Sequence, residues 1–291
     1  MARFCFSAFA DEAAPDLAGQ TTALLRCGIR QIEPRSIGGP LLAKSEEELT
    51  QIRRGLDGAG ITVSSYGSPI GKSPIDAPFD DCLRDFEKAL TVCRILGTAR
   101  MRIFGFYVTE ERKADCRGEV MRRLAALAER ADAEGITLCV ENETAVFGQN
   151  PPEMRDILTT IPRLRGIFDA ANYVQNDADP LEGLAATLPS LGYLHAKDMT
   201  KSDKRMQPAG EGDGAWTEVI RRVDRATDGL VTVTLEPHLC PFDAYAKIDL
   251  HPLRVGKQYD SPDAAFDAAA AALKNLFLHL GFTEENGIWK K

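Results

Sequence analysis

The chain has 291 residues, of which 44% are hydrophobic and 27% are charged, as in ordinary globular proteins with a sizeable core. Its 43 acidic residues outnumber its 35 Lys and Arg residues, and the resulting net charge of −8 excludes a general nucleic-acid binder, which would carry a basic face. No apolar run approaches the ~20 residues that cross a bilayer, so we expect no membrane span.

Runs rich in β-forming residues alternate with helical patterns eight times along the chain. Such alternation indicates βα units and a parallel sheet. Eight units predict a (β/α)8 TIM barrel, an α/β fold, as one domain over residues 1–291. An open doubly wound sheet is the alternative. The predicted strands are Phe4–Phe9, Ile29–Glu33, Ile61–Tyr66, Arg100–Phe106, Ile136–Glu141, Gly166–Asp169, Tyr193–His195 and Leu230–Glu236. The predicted helices are Asp16–Cys27, Ser45–Ala59, Asp80–Leu96, Cys116–Ala133, Pro152–Thr160, Pro180–Leu188, Trp216–Ala226 and Pro262–Leu280.

Several of these helices carry start and stop signals. Ser45 and Glu48 have the spacing of a capping box, and Pro152 and Pro180 suit the first turn of a helix. Four glycines follow helical runs and precede strands, where a left-handed C-cap is expected. They are Gly28, Gly60, Gly97 and Gly135.

Two segments fall outside the alternation. Residues 237–261, after the eighth predicted strand, form a long Pro-containing connection that includes Tyr245, His251 and Pro252. Loops of this length in a compact domain are usually functional, so we interpret it as a lid or as a dimer element of a homo-oligomer. Residues 281–291 are interpreted as a C-terminal surface extension.

The cysteines and the N-terminus favour a cytoplasmic protein. The seven cysteines are odd in number and widely spaced without a C-x-x-C pair, which favours reduced thiols over a disulfide framework or a zinc knuckle. The apolar stretch Phe4–Ala10 is shorter than the ~15–30 residues of a signal peptide and is followed at once by Asp11 and Glu12. We therefore expect a first β-strand there.

Acidic residues and one histidine end the last four predicted strands. The period of two places Glu141 and Glu236 on the same strand face as small Thr and Cys side chains, the face that points into a barrel. Asp169 ends the sixth strand and His195 ends the seventh. All four side chains are therefore expected at the C-terminal end of the barrel, where barrel enzymes keep their active sites.

This set of side chains predicts a metal site. Three carboxylates and an imidazole in an apolar barrel would repel one another and become protonated unless a cation neutralises them. An oxygen-rich set with one histidine favours Mn²⁺ or Mg²⁺, and Co²⁺ and Zn²⁺ are also compatible. We predict one divalent ion held by Glu141, Asp169, His195 and Glu236. For each residue taken singly, a helix cap, a surface carboxylate or a hydrogen-bonded core histidine is the alternative.

Short motifs surround these residues. They are Val140-Glu141-Asn142, Phe168-Asp169-Ala170-Ala171-Asn172, Leu194-His195-Ala196-Lys197-Asp198 and Leu235-Glu236-Pro237-His238, with Ile32-Glu33 on the second strand. Together they resemble the successive motifs of the xylose isomerase-like TIM barrels, and the resemblance extends over nearly the whole chain. It implies that Glu141, Asp169, His195 and Glu236 bind one divalent metal. It also implies that the two glutamates flank the substrate carbon and exchange its proton.

The resemblance implies a metal-dependent isomerase or epimerase of a small sugar or sugar-like hydroxy-carbonyl compound. A proton next to a carbonyl is weakly acidic, and a metal that holds the carbonyl and hydroxyl oxygens stabilises the enediolate that forms. Two carboxylates can act as base and acid. Returning the proton to the opposite face inverts the centre, whereas returning it to the adjacent carbon moves the carbonyl. The sequence leaves both outcomes open.

Three other functions are alternatives. A lyase of the inosose dehydratase type would use the same metal and glutamates to eliminate water. A non-catalytic metal- or sugar-binding barrel would tie Glu141 or Glu236 into salt bridges. A nuclease of the AP-endonuclease branch would need more histidines than the four in this chain. Asn172 stands where ketose 3-epimerases resemble one another in carrying a histidine, which is a departure from that subgroup.

Further polar residues near the strand ends are candidates for substrate binding. The alternative for each is an ordinary turn or a structural salt bridge. Gly210-Glu211-Gly212-Asp213-Gly214 is interpreted as a flexible loop near the substrate. Two residues past Glu236, His238 could also serve as an additional acid or base. The substrate-binding candidates are Asn172, Lys197, His238, Lys72 and Arg102, with Arg35 on weaker grounds.

Overall fold

A computed structural model describes residues 1–242 and 253–291 of the chain. In these residues the strands are β1 (Arg3–Ala8), β2 (Gln31–Ile32), β3 (Thr62–Val63), β4 (Arg100–Ile103), β5 (Thr137–Glu141), β6 (Arg165–Asp169), β7 (Leu191–Ala196), β8 (Asp198–Met199), β9 (Met206–Gln207), β10 (Leu230–Leu235), β11 (Thr283–Glu285) and β12 (Ile288–Lys290). The helices are α1 (Leu17–Arg26), α2 (Glu46–Gly58), α3 (Phe79–Leu96), α4 (Lys113–Asp132), α5 (Pro151–Thr160), α6 (Ala170–Gln175), α7 (Pro180–Thr187), α8 (Trp216–Ala226) and α9 (Pro262–His279).

Eight parallel strands form the barrel, with β10 as the eighth. Parallel ladders join β1, β10, β7, β6, β5 and β4 in that order, and β2 pairs with β3. Tyr66 donates its N–H to the Arg100 carbonyl at 2.9 Å, which joins the β3 segment to β4. Glu33 donates its N–H to the Ala8 carbonyl at 3.0 Å, which joins the β2 segment to β1. These contacts complete the ring, so the predicted TIM barrel is confirmed and the open sheet is not.

The last residues of the chain form part of this wall. β12 pairs antiparallel with the start of β1, with Trp289 opposite Phe4 and Ile288 opposite Cys5. The Trp289 ring is buried and stacks on Phe6 with 5.1 Å between ring centroids. This pairing corrects the expectation of a surface extension over 281–291 for the buried Phe282 and Trp289, while Thr283–Glu285 of β11 are exposed. It also explains why the β2 ladder is shorter than predicted, because β12 takes the edge of β1 that β2 would otherwise use.

The predicted helix signals are confirmed. Ser45 and Glu48 form the reciprocal capping box at the start of α2. Pro152 and Pro180 lie in the first turns of α5 and α7. The four predicted C-cap glycines have φ between 65° and 70°, and Gly97 closes α3 in the left-handed conformation.

Some elements were not predicted from the pattern. The short helix α6 begins directly after β6, because the Asp169 side chain accepts the Asn172 N–H as an N-cap. The antiparallel pair β8 and β9 follows β7. In the long connection 237–261, residues 243–252 with Tyr245, His251 and Pro252 lie outside the described residues, so the lid or dimer element stays a prediction. Among the described residues, no helix combines the length and the apolar character needed to cross a membrane.

Candidate metal centre

Glu141, Asp169, His195 and Glu236 converge at the C-terminal end of the barrel. Each offers a ligand atom, and these atoms all lie within 4.8 Å of one another. His195 Nδ1 is 2.9 Å from Glu141 Oε1 and 3.1 Å from Glu236 Oε2. All four side chains are buried.

Neighbouring strands set this arrangement. Glu141 ends β5, Asp169 ends β6 and His195 lies in β7, while Glu236 follows β10 directly. In the ladders, Asp169 pairs with His195 and His195 pairs with Thr234. Parallel strands in register bring their carboxyl ends to one rim of the barrel, which is why residues far apart in sequence meet here.

Glu33 orients the histidine from the second strand. His195 Nε2 lies 3.4 Å from Glu33 Oε2, and Glu33 accepts hydrogen bonds from the Tyr193 hydroxyl at 2.6 Å and the Thr234 hydroxyl at 2.8 Å. A carboxylate on one ring nitrogen fixes the orientation of a ligating histidine, and here it turns Nδ1 toward Glu141 and Glu236. Glu33 lies in the motif Ile32-Glu33, but the sequence pattern predicts no role for it.

Asp169 and Glu236 each keep one buried oxygen without a hydrogen bond of regular geometry among the described residues, namely Asp169 Oδ2 and Glu236 Oε2. A buried charged atom without such a bond is costly, and a divalent cation would remove the cost. The donor set, three carboxylates and one imidazole, fits Mn²⁺ or Mg²⁺.

The pKa values reflect the same crowding of negative charge. Burial raises the pKa of Asp169 to about 7, helped by Glu236 and Glu141 and opposed by Lys197. Although burial alone would lower it, the surrounding carboxylates raise the pKa of His195 well above its usual range. In the protein without an ion, protons therefore take up part of the charge that a metal would neutralise.

Two buried arginines hold the outer oxygens of the glutamates. Arg102 Nη1 lies 3.2 Å from Glu141 Oε2. Arg35 donates from Nη1 to Glu236 Oε1 at 2.8 Å. Glu141 Oε1 and Glu236 Oε2 remain directed at His195.

The structure brings some of the substrate-binding candidates to the centre. Lys197 donates to Asn172 Oδ1 at 2.9 Å and lies 3.5 Å from Asp169 Oδ2. Asn172 donates to the Asn142 carbonyl at 2.8 Å, so it links β5 to α6. His238 Nε2 is 3.5 Å from the Glu236 carboxylate.

Lys72 lies farther out. It donates to Glu143 at 2.9 Å, and its ammonium is 4.7 Å from the centre of the Phe104 ring. With Arg35 and Arg102 it lines a cavity of about 260 Å³ beside the centre. This candidate is therefore a cavity residue and not a neighbour of the ligand set.

The glycine loop 210–214 is anchored, which corrects the expectation of a flexible loop. The buried Asp198 carboxylate accepts N–H bonds from Gly210, Gly212 and Gly214 at 2.8 to 3.0 Å. Lys197, the residue before Asp198, contacts Asp169 and Asn172 at the candidate metal centre. Two consecutive residues after β7 therefore hold the centre and the glycine loop. The signal in the sequence was the acidic residue directly after Lys197, which the pattern could not connect to a loop twelve residues away.

This packing predicts a strong effect of one added methyl group. A Cβ on Gly212 would lie 2.5 Å from Asp198 Oδ1 and 2.7 Å from the Met199 carbonyl. We expect Gly212→Ala to lower the free energy of unfolding by about 1–3 kcal/mol in urea denaturation. Gly118→Ala is the matched control, since nothing lies within 4 Å of its added Cβ in α4, and it should gain about 0.5–1 kcal/mol. Equal stability of the two variants would contradict the anchoring role.

Comparisons with known proteins place the fold. The family model for the xylose isomerase-like TIM barrel matches residues 22–276. No curated protein matches the chain by sequence. The probable 3-DHS dehydratase AsbF of Bacillus anthracis is 16% identical with a TM-score of 0.69, covering 93% of this chain and 99% of that chain.

Two further solved structures are similar. D-psicose 3-epimerase with D-tagatose, from Clostridium cellulolyticum H10, is 14% identical with a TM-score of 0.69, covering 94% of this chain and 99% of that one. A xylose isomerase-like TIM barrel protein of Mycobacterium smegmatis in complex with magnesium is 17% identical with a TM-score of 0.64, covering 89% of this chain and 87% of that one. At these identities the likeness concerns the fold. With the family model matching most of its length, the chain belongs to the xylose isomerase-like TIM barrel family.

Proposed function

We propose that this protein is a divalent-metal-dependent isomerase or epimerase of a small sugar or sugar-like hydroxy-carbonyl compound. The observation that carries the proposal is the buried convergence of Glu141, Asp169, His195 and Glu236 within 4.8 Å. The family relatives support it, since one is an epimerase solved with D-tagatose and another is a barrel solved with magnesium.

These four residues would hold the ion. Mn²⁺ or Mg²⁺ suits the donor set best, and Co²⁺ and Zn²⁺ are also compatible. When bound, such an ion polarises a substrate carbonyl and stabilises the negative charge that develops on its oxygen.

Glu141 and Glu236 move the proton in this proposal. They lie at the carboxyl ends of β5 and β10, which β6 and β7 separate around the barrel, so the two carboxylates reach the centre from different parts of the wall. One takes the proton from the carbon next to the carbonyl, and the other returns a proton. Arg102 and Arg35 hold the outer oxygens of the two carboxylates, which fixes the oxygens that face the centre.

A dehydratase is the second candidate, and Lys197 is the observation that favours it. Its ammonium is buried beside Asp169 and Asn172, where it would protonate a departing hydroxyl group. The fold relative AsbF, a probable dehydratase, is consistent with this chemistry on the same barrel.

The non-catalytic barrel requires salt bridges to Glu141 or Glu236, and both glutamates have an arginine partner. Each of these pairs involves one oxygen of the carboxylate, while the other oxygen faces His195. One oxygen per glutamate therefore remains for chemistry.

Exchange of solvent deuterium into substrate carbon tests the proposal. We expect Mn²⁺-loaded protein in D2O to label a member of a panel of ketoses and inososes at the carbon next to the carbonyl. NMR of the products would then separate epimerisation, isomerisation and loss of water. Metal-loaded protein that labels no panel member, and binds the sugars without changing them, would favour the non-catalytic barrel.

A further inference from the structure

A second cluster of ligand-type side chains adjoins the metal centre. Glu12, Glu236 and His238 each offer an atom within 4.8 Å of the others, and all three are buried. Glu236 belongs to both clusters, because its Oε2 lies 3.1 Å from His195 Nδ1 and its Oε1 lies 3.5 Å from His238 Nε2. A carboxylate shared in this way is suited to two cations side by side, as in two-metal sites with ions ~3.5–4 Å apart.

Arg35 already places a cation in this second cluster. It donates from Nη1 to Glu236 Oε1 at 2.8 Å and from Nη2 to Glu12 Oε1 at 2.9 Å, while its Nε donates to Asp11 at 2.9 Å. The Glu12 and Glu236 oxygens are the same atoms that lie 3.5 Å from His238 Nε2. A second ion would need these oxygens as ligands.

The guanidinium is fixed in this position. Its side chain is 4% exposed, and its central carbon lies 4.3 Å from the centre of the Phe9 ring and 4.9 Å from that of the Phe242 ring. Its planar fork of donors matches carboxylates on several sides at once. Moving it away would leave the buried Asp11, Glu12 and Glu236 without its charge, which is strongly unfavourable.

We propose that Arg35 is a built-in cation that fills the second ion position and limits this centre to one divalent ion. The inference rests on the proposed function for the existence of the first ion. Arg35 is in this sense the residue that determines how many ions the site holds. It also directs Glu236 to offer a single oxygen, Oε2, to the first ion.

Counting bound Mn²⁺ tests this inference without reference to activity. Wild type, R35A and E12Q would be saturated with Mn²⁺, freed of loose ion by gel filtration and measured by plasma mass spectrometry. We expect one ion in wild type and in E12Q, and two ions in R35A. The R35A pair should also show the electron paramagnetic resonance spectrum of two spin-coupled Mn²⁺ ions, and the double variant R35A/E12Q should weaken binding of the second ion at least tenfold.

Two further measurements test the inference even if R35A is unstable. R35K keeps the charge and should hold one ion. Thermal melting of R35A should respond to Mn²⁺ with a larger upward shift than wild type, and R35A/H238A should lose this excess. A folded R35A that holds one ion, or an R35A that Mn²⁺ does not stabilise beyond wild type, would overturn the inference.

The number of ions bound to the wild type distinguishes a failure of this inference from a failure of the proposed function. Two ions in wild type, falling to one in E12Q, would show that the second site is a metal site despite Arg35. No ion in wild type at saturating Mn²⁺ would instead remove the metal centre itself.

Discussion

Glu236→Gln is expected to slow deuterium exchange into the substrate by about 10²–10⁴-fold, the usual contribution of a positioned general acid or base. Glu236 offers Oε2 to the centre, 3.1 Å from His195 Nδ1, and an amide at that position cannot accept the substrate proton. Glu141→Gln should have an effect of the same order, since its Oε1 lies 2.9 Å from the same nitrogen. Initial rates of exchange measured by NMR give both values.

Loss of a ligand and loss of a base must be separated in this experiment. Asp169→Asn weakens a ligand by removing its negative charge but changes neither of the two glutamates, so excess Mn²⁺ should restore much of its exchange rate. The same excess should leave Glu236→Gln slow. Glu153→Gln is the control, because this carboxylate pairs with Lys113 outside the barrel and should leave the rate unchanged. If excess Mn²⁺ fully restored the exchange rate of Glu236→Gln, Glu236 would act only as a metal ligand and not as an acid or base.

Metal removal should produce the second large effect, a loss of stability. An ion present at 100 times its dissociation constant stabilises the folded protein by about 2.7 kcal/mol. For a domain of 291 residues, that corresponds to a fall in Tm of roughly 4–5 °C on chelation. Differential scanning calorimetry with EDTA and then with Mn²⁺ would measure it. His195→Ala is the matched control, and its Tm should respond far less to Mn²⁺.

The loss of stability should grow with pH. Burial raises the pKa of Asp169 to about 7 and that of Glu12 to about 8, whereas carboxyl groups in an unfolded chain titrate near about 4. Burial lowers the pKa of His238 to about 4, so this group opposes the effect only below about pH 6.5. From there to about pH 8 the folded protein without metal binds more protons than the unfolded chain, so its stability falls as the pH rises.

Chelated protein should accordingly melt at a lower temperature at pH 8 than at pH 6, and the gain from Mn²⁺ should be larger at pH 8. A chelated protein that becomes more stable over this range would contradict the crowding of charge at the centre. If Mn²⁺ raised the melting temperature by the same amount at both pH values, Asp169 would already be ionised without the ion.

The four-residue convergence could be predicted because it depends on strand periodicity alone. Once eight βα units are recognised, Glu141, Asp169, His195 and Glu236 all fall at the carboxyl ends of neighbouring strands. The parallel barrel places such ends on one rim, whatever the exact strand lengths. The same reasoning predicted the capping box of α2 and the C-cap glycines, which are local signals.

The choice of partner among charged residues could not be predicted. Arg35 reaches Asp11, Glu12 and Glu236, although the sequence offers many other acids. Asp198 holds a loop twelve residues further along the chain. Such pairings depend on side-chain directions within the folded barrel, and periodicity gives only the face of the strand.

The C-terminal hairpin escaped prediction for another reason. Its strands are only three residues long, and they have no helical or long alternating pattern. β12 is stabilised by pairing with the edge at the start of β1. This edge exists only after the strands of the barrel have assembled.

The position of β12 makes the barrel wall depend on residues far apart in the chain. Phe4 of β1 pairs with Trp289 of β12, and most of the other elements lie between them in sequence. The wall between β1 and β2 therefore stays unfinished until β12 has docked, and contacts of such long sequence separation form slowly. A chain in which the hairpin β11–β12 is undocked would expose the aromatic rings of Phe4 and Phe6 at this gap, the kind of apolar surface that chaperones and proteases recognise. The barrel wall is thus complete only when this hairpin has docked and covered that surface.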